Sequence, residues 1–316
     1  MEGAWARRPA TAVSRLKGRA LLVLSARDLL EAAAQSDEVL VALVAPAAAA
    51  MAGFARAARD ADAPLLLVRP SGASEETGPE EARDDTAFVE AAFKAADEVR
   101  FAGPMALLKE PPRAGSSVSD SVRVQREIDT GFTGVALAAA DSQQEVRDAA
   151  LAATAVCQRE LGLEVVPLGG AMAAAELARQ LSSRGAPPSA VRMTGMEDQA
   201  PDLGIAVSTE TESLAPRLLE MGVRLLVASG PFLRALRRAA PGPLWEKLQS
   251  WADEKGATID QAAARHQRVL RDLPREVQER LEALACFEAL DLFGKARVAQ
   301  SGAKLVAAVA ALHPGE

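Results

Sequence analysis

Short apolar runs rich in Val and Leu alternate with Ala-rich stretches of helical period along most of this chain, and no other feature restricts the fold as much. A continuous apolar run bounded by turn signals suits a strand covered on both faces, and strands separated by helices are βαβ units around a parallel sheet. Eight such runs stand out: Val39–Val44, Pro64–Val68, Gly103–Leu108, Thr133–Ala138, Leu163–Leu168, Ser189–Thr194, Leu203–Ser208 and Val223–Ser229. Between them, Ala48–Ala61, Thr86–Glu98, Ser142–Leu161, Ala171–Arg184 and Ser213–Met221 have helical pattern. Eight strand–helix repeats predict an α/β fold of the (β/α)8 TIM-barrel type.

The flanks divide the chain further. Residues 1–38 form an N-terminal extension in which Ser25 and Asp28 suggest a capping box opening a helix over Ser25–Ala34, placed to plug the bottom of the barrel. The barrel spans 39–240. Residues 241–316 are C-terminal helices packed on it, with candidates at Leu244–Lys255, Ile259–Leu270 and Pro274–Leu292. The segments Arg69–Asp85 and Glu110–Asp120 mix Pro, Gly and Ser and read as mobile loops.

With 49% hydrophobic residues in 316, the chain can bury a sizeable core, and with 3% aromatics its helices must pack through small side chains. A net charge of -7 offers no basic field for nucleic acid. The longest apolar run, near Val39–Met51, is shorter than the roughly 20 residues of a membrane span. Arg7 and Arg8 are not followed by an extended apolar core and cleavage site, so no signal peptide is expected and the cytoplasm is the default location. Cys157 and Cys286 stand alone, outside any CxxC spacing, and read as buried free thiols.

Three stretches together resemble the class II fructose-bisphosphate and tagatose-bisphosphate aldolases. EIDTGFTGV at Glu127–Val135, followed by the helix Ser142–Leu161 and by GLEVVPLGG at Gly162–Gly170, resembles the family's passage from before the fourth strand through the fifth. LGIAVSTETESLAPRLLEMGVRLLVASGPFLRALRRA resembles its seventh and eighth strands with their helices. EALACFEALDLFGKARVA resembles its closing helix, and Pro241–Arg275 is an extra helical insertion. The resemblance implies a barrel that holds zinc through three imidazoles, with a carboxylate that moves protons.

The residues depart from that implication. The family's third-strand His-Leu-Asp-His motif falls on Leu108, Lys109, Glu110 and Pro111; its sixth- and seventh-strand ligands fall near Gly195–Met196 and on Ser208. The chain has two histidines, His266 and His313, so a three-histidine zinc site is excluded by counting. The phosphate-binding Gly-Gly-Ser turn reads Thr209-Glu210-Thr211, and the positions after the eighth strand read Val227 and Gly230-Pro231. The fourth-strand carboxylate and fifth-strand glutamate positions read Ala138 and Leu168. No histidine-held metal and no cofactor is implied by what remains.

Two functions follow as expectations. One is a pseudoenzyme, an aldolase-like barrel kept for scaffolding, regulation or binding of a small molecule or protein, homodimeric as the resemblance implies. The other is a zinc-independent carbon–carbon lyase in which Lys109 forms a Schiff base and Glu110 shuttles the proton. Against it, Lys109 reads as a solvated rim residue. A non-catalytic companion of a true aldolase is a third. Asp141, Arg192 and Glu210, with Glu197 and Asp198, stand near strand ends as candidates for a polar ligand site or for a metal site made of carboxylates. Gly169–Gly170 reads either as an anion site at a helix start or as a tight βα turn. Trp245, Trp251, Phe287 and Phe293 mark either a dimer interface or ordinary core.

Overall fold

The computed structural model describes residues 2–71, 79–111, 119–138, 143–166, 171–193, 205–209 and 223–312, with the backbone alone at 79–82, 143, 166, 171–173, 192–193 and 205–209. All eight expected strands are present within two residues of their expected ends, as β2 (Leu40–Val44), β3 (Leu65–Arg69), β4 (Pro104–Lys109), β5 (Gly134–Ala138), β6 (Gly162–Val166), β7 (Ala190–Met193), β8 (Ile205–Thr209) and β9 (Val223–Ala228). A short β1 (Leu22–Val23) pairs with the start of β4 and was not expected; two residues carry no periodicity to read.

Every described pairing is parallel, and the sheet curls: β2 is bonded to β3 and to β9, while β4 is bonded to β3 and, through Leu108↔Gly134 and Lys109↔Val135, to β5. This is a TIM-like α/β architecture. Strand side chains divide by parity, because successive residues point to opposite faces. Ala42, Val44, Leu66, Val68, Ala106 and Leu108 fill the inner face. Leu43, Leu65, Leu67, Met105, Leu107 and Val135 face the outer helices.

The N-terminal helices are α1 (Glu2–Ala6), α2 (Ala10–Arg15) and α3 (Ala26–Ser36). Ser25 caps α3 by accepting from the Asp28 N–H at 2.9 Å. The capping box is only half formed, since the Asp28 carboxylate pairs with Arg7 at 3.0 Å instead. The start of α3 closes the bottom of the sheet: Ala26 N–H donates to Thr133 O at 3.0 Å. Its approach explains two glycines, because a Cβ on Gly134 or Gly162 would lie 2.8 or 2.5 Å from the Ala26 Cβ.

The outer layer comprises α4 (Ala48–Ala61), α5 (Pro79–Glu98), α6 (Asp120–Thr130), α7 (Gln143–Gln158), α8 (Ala171–Ser183) and, after β9, α9 (Gly230–Ala239). The expected helix Ser213–Met221 lies outside the described residues. Helix α5 starts seven residues before the expected Thr86, so the stretch 79–85 is helix rather than loop. Pro79 opens it, a residue tolerated at the first position because that N–H has no acceptor within the helix. Helix α6 ends on Gly131, whose φ of 113° is left-handed and favours glycine.

The C-terminal part adds α10 (Gly242–Lys255), α11 (Ile259–Arg265), α12 (Gln267–Arg271), α13 (Arg275–Lys295) and α14 (Gly302–Leu312). The expected single helix Ile259–Leu270 breaks at His266, with φ -101° and ψ 25°. Helix α13 packs on α4, where the small Gly53 admits the Glu282 carbonyl, and α14 returns beneath the sheet onto α3 and α1.

Candidate functional site

Parity decides where Lys109 goes. Ala106 and Leu108 face inward along β4, so Leu107 and Lys109 face the helices. Arg69, the ladder partner of Lys109 on β3, shares that outer face. A charge there needs a counter-charge from the helix layer, since burial of an unpaired ion is strongly unfavourable. Asp85 of α5 supplies it: Oδ1 accepts from Lys109 Nζ at 2.7 Å and from Arg69 Nε, and the Lys109 side chain is 0% exposed. The solvated-rim reading of Lys109 is therefore corrected. It is a buried ion-paired lysine on the helix side of β4.

Helix α6 extends the cluster. Arg123 Nη1 donates to both carboxylate oxygens of Glu127 at 2.9 Å, and its Nη2 donates to Asp120 at 2.7 Å and to Ala136 O of β5 at 3.2 Å. Burial pushes the Asp85 carboxyl up, but Lys109 and Arg69 outweigh it and hold the group below the usual carboxylate range. Burial dominates at Glu127, whose pKa is raised despite Arg123 and Lys109. For Arg123, burial works against the charge while Glu127 and Asp120 prevail and raise its pKa.

Glu110 follows β4 and is half-buried; its N–H donates to Arg69 O at 3.1 Å and its carbonyl accepts from Ser71 Oγ, tying the ends of β3 and β4 together. Of the expected ligand-binding residues, Arg192 lies on β7, two residues beyond Ala190. Asp141 and Glu210 lie outside the described residues, as do Glu197, Asp198, Leu168, Gly169–Gly170, Gly195–Met196 and Thr211. Of the described candidates, Lys109 sits on the outer face with Arg69 and Asp85, and Glu110 stands at the end of β4.

The sequence reading missed Glu164. It alternates with the outward-facing Leu163 and Val165 on β6, is 5% exposed, and is ladder partner to the inward Ala190. Its signal was available, as a single charge in the apolar run GLEVV whose parity sets it on the inner face.

The donor set does not fit a three-imidazole zinc centre. His266 lies at the junction of α11 and α12, its ring edge-on to Trp251 with centroids 5.4 Å apart, and burial followed by Lys247 and Arg265 lowers its pKa. His313 lies outside the described residues. Among the described residues, no group of three or more His, Cys, Asp or Glu is placed to hold a metal ion. Cys157 and Cys286 are free thiols, half-buried rather than buried, and burial raises the pKa of both. Phe293 is buried in the core, and Trp245 lies under the Arg237 guanidinium, 5.8 Å from the ring centroid. Phe287 is 62% exposed. No described helix is long and apolar enough to cross a membrane.

No family model matches the chain and no curated protein matches it. Solved structures do. The YdjI aldolase from Escherichia coli K12 superposes with a TM-score of 0.60 at 10% identity, covering 89% of this chain and 99% of that one. A candidate fructose-1,6-bisphosphate aldolase from Coccidioides immitis superposes with a TM-score of 0.58 at 12% identity, covering 92% of this chain and 99% of the other. At such identity the likeness is one of fold.

Proposed function

We propose that this chain is an aldolase-like (β/α)8 barrel retained as a pseudoenzyme, with a scaffold, regulatory or small-ligand role in place of aldol cleavage. The carrying observation is the inner face near the C-terminal ends of the strands, where barrel enzymes place their chemistry. Val44, Val68, Leu108 and Val227 occupy it on β2, β3, β4 and β9, all buried and none able to ligate a metal or move a proton. Stabilising an enediolate requires a Lewis acid or a fixed charge at the developing oxyanion. The ring of pairings through β2–β9 and β4–β5 supports a complete barrel.

Titration calorimetry with zinc, then with dihydroxyacetone phosphate and fructose 1,6-bisphosphate, is the test, with an aldol-cleavage assay in parallel. The reading expects no stoichiometric zinc binding and no cleavage. Turnover of the bisphosphate would overturn it.

One observation favours the zinc-independent lyase: Lys109 is fully desolvated, as amine nucleophiles often are. Its ion pair with Asp85 on the outer face works against that role. If Lys109 forms a Schiff base, borohydride reduction in the presence of either sugar phosphate leaves a stable adduct on that residue by mass spectrometry. We also propose a homodimer, for which the exposed Phe287 and the adjacent Leu290, 37% exposed, offer an apolar strip on α13.

A further inference from the structure

We infer that His266 is a pH-sensitive clasp on α10: in its neutral form it holds that helix against the α11–α12 junction through Trp251, and on protonation it lets the helix go. Helix α10, 14 residues long, buries only Leu248 and Ala252, so few buried contacts secure it. Its two tryptophans supply others. Near the start of α10, Trp245 meets the Arg237 guanidinium of α9, 5.8 Å from the ring centroid, and arginine does not lose its proton in a protein. Further along, Trp251 meets the His266 ring with centroids 5.4 Å apart and planes at 87°. A proton can change only the second of these contacts.

His266 stands where φ -101° and ψ 25° interrupt the helix between α11 and α12. Its Nε2 and that of Gln267 are buried with no hydrogen-bond partner among the described residues. A neutral imidazole keeps one ring nitrogen bare, whereas an imidazolium carries N–H on both. A buried charged donor without an acceptor is strongly unfavourable. The charges acting on the ring are Lys247, one turn before Trp251 on α10, and Arg265, the last residue of α11, both positive. The nearby acids are otherwise placed: Glu254, one turn beyond Trp251, pairs with Lys255 at 3.8 Å, Glu246 and Asp253 are exposed, and Asp260 is buried at the far end of α11. Arg268 and Arg271 of α12 are exposed, and Arg234 and Arg238 of α9 are bonded to Glu288. Protonation of His266 therefore adds a third cation. An indole attracts an imidazolium, yet burial, then Lys247 and Arg265, prevail and hold the His266 pKa below its ordinary value. With a depressed folded pKa, the clasp is complete above the unfolded value of about 6.5 and is lost as pH falls through the folded one.

The test is a titration of the full chain from about pH 8 to about pH 5, the span over which an imidazole switches. Proton NMR follows the His266 ring, told apart from His313, the other histidine of the chain, by its loss in His266→Gln. Hydrogen exchange, corrected for the intrinsic rate at each pH, follows the helices. His266 should titrate below about 6.5. Protection over residues 248–255 should fall about tenfold across the same span, a size typical of residues in contact, while α4 keeps its own. His266→Gln should remove that fall. Lys247→Met, at an exposed position, should raise the His266 midpoint and lessen the fall, and it carries the comparison if His266→Gln does not fold. A His266 midpoint at or above about 6.5 would overturn the clasp. So would a fall in α10 protection that persists in His266→Gln, or a midpoint and a fall that Lys247→Met leaves unmoved.

Discussion

Asp85 accepts from two buried cations, so a change at its carboxylate leaves two charges without this partner. Asp85→Asn keeps the shape but removes the charge that Arg69 and Lys109 share. Breaking a buried pair in this way typically costs about 3–5 kcal/mol, which a loss of urea midpoint at unchanged slope would register. Asp85 and Glu127 respond to pH with opposite sign. Asp85 has a lowered folded pKa, so its contribution is present above its unfolded value of about 3.9 and is lost as pH falls through the folded one. Glu127 has a raised folded pKa, so its contribution is present below about 4.3 and is lost as pH rises through the folded value. Urea unfolding across pH should therefore show a decline as pH rises above about 4.3 that Glu127→Gln removes. A decline of the same size in that variant would assign it to other groups. The identity of Lys109 as a strand-end residue was legible from the run ALLK, but its partner was not. Asp85 is 24 residues away in a segment whose Pro, Gly and acidic content read as loop. Parity along β4 would have turned Lys109 outward; position at the strand end alone did not.

Strands and outer helices were read well because their signal is local: a continuous apolar run or a helical period holds whatever surrounds it. What the sequence did not show at this scale depends on contacts between distant elements. Strand β1 exists through pairing with β4, and the early start of α5 is tied to the Asp85 contact. The glycines at the bottom of the sheet are a second case, since Gly134 and Gly162 have φ values open to any residue and are required only by the approach of α3. Gly162→Ala should push Ala26 and the α3 backbone away, with a Cβ 2.5 Å from the Ala26 Cβ and 2.9 Å from the Arg27 nitrogen. Overpacking of this kind destabilises by about 1–3 kcal/mol. Gly242→Ala, whose Cβ would meet nothing within 4 Å, is the control and should leave the thermal midpoint nearly unchanged. Equal midpoints for the two variants would mean that α3 does not press on the strand ends as described.

At the scale of the whole molecule, α13 presents two faces of different character. Leu281, Ala285, Ala289, Leu292 and Phe293 are buried, while Phe287 and Leu290 face out beside Glu279, Asp291 and Lys295. Phe287 is 62% exposed on a chain with only 3% aromatics, and Leu290 beside it is 37% exposed. Aromatic side chains are enriched in the buried centres of protein interfaces, and of the two phenylalanines on α13 the packing puts Phe293 in the core and leaves Phe287 exposed. Sedimentation velocity should then give a dimer at micromolar concentration, and Phe287→Asp should shift it to monomer without lowering the thermal midpoint of the isolated fold. Burying an uncompensated carboxylate at an interface centre costs several kcal/mol, enough to weaken association a hundredfold or more, roughly. A dimer that survives Phe287→Asp would place the contact on another face. A wild-type monomer would leave the α13 strip solvent-facing and remove the homodimer from the proposed function, while the reading of the barrel interior, which rests on Val44, Val68, Leu108 and Val227, would stand unchanged.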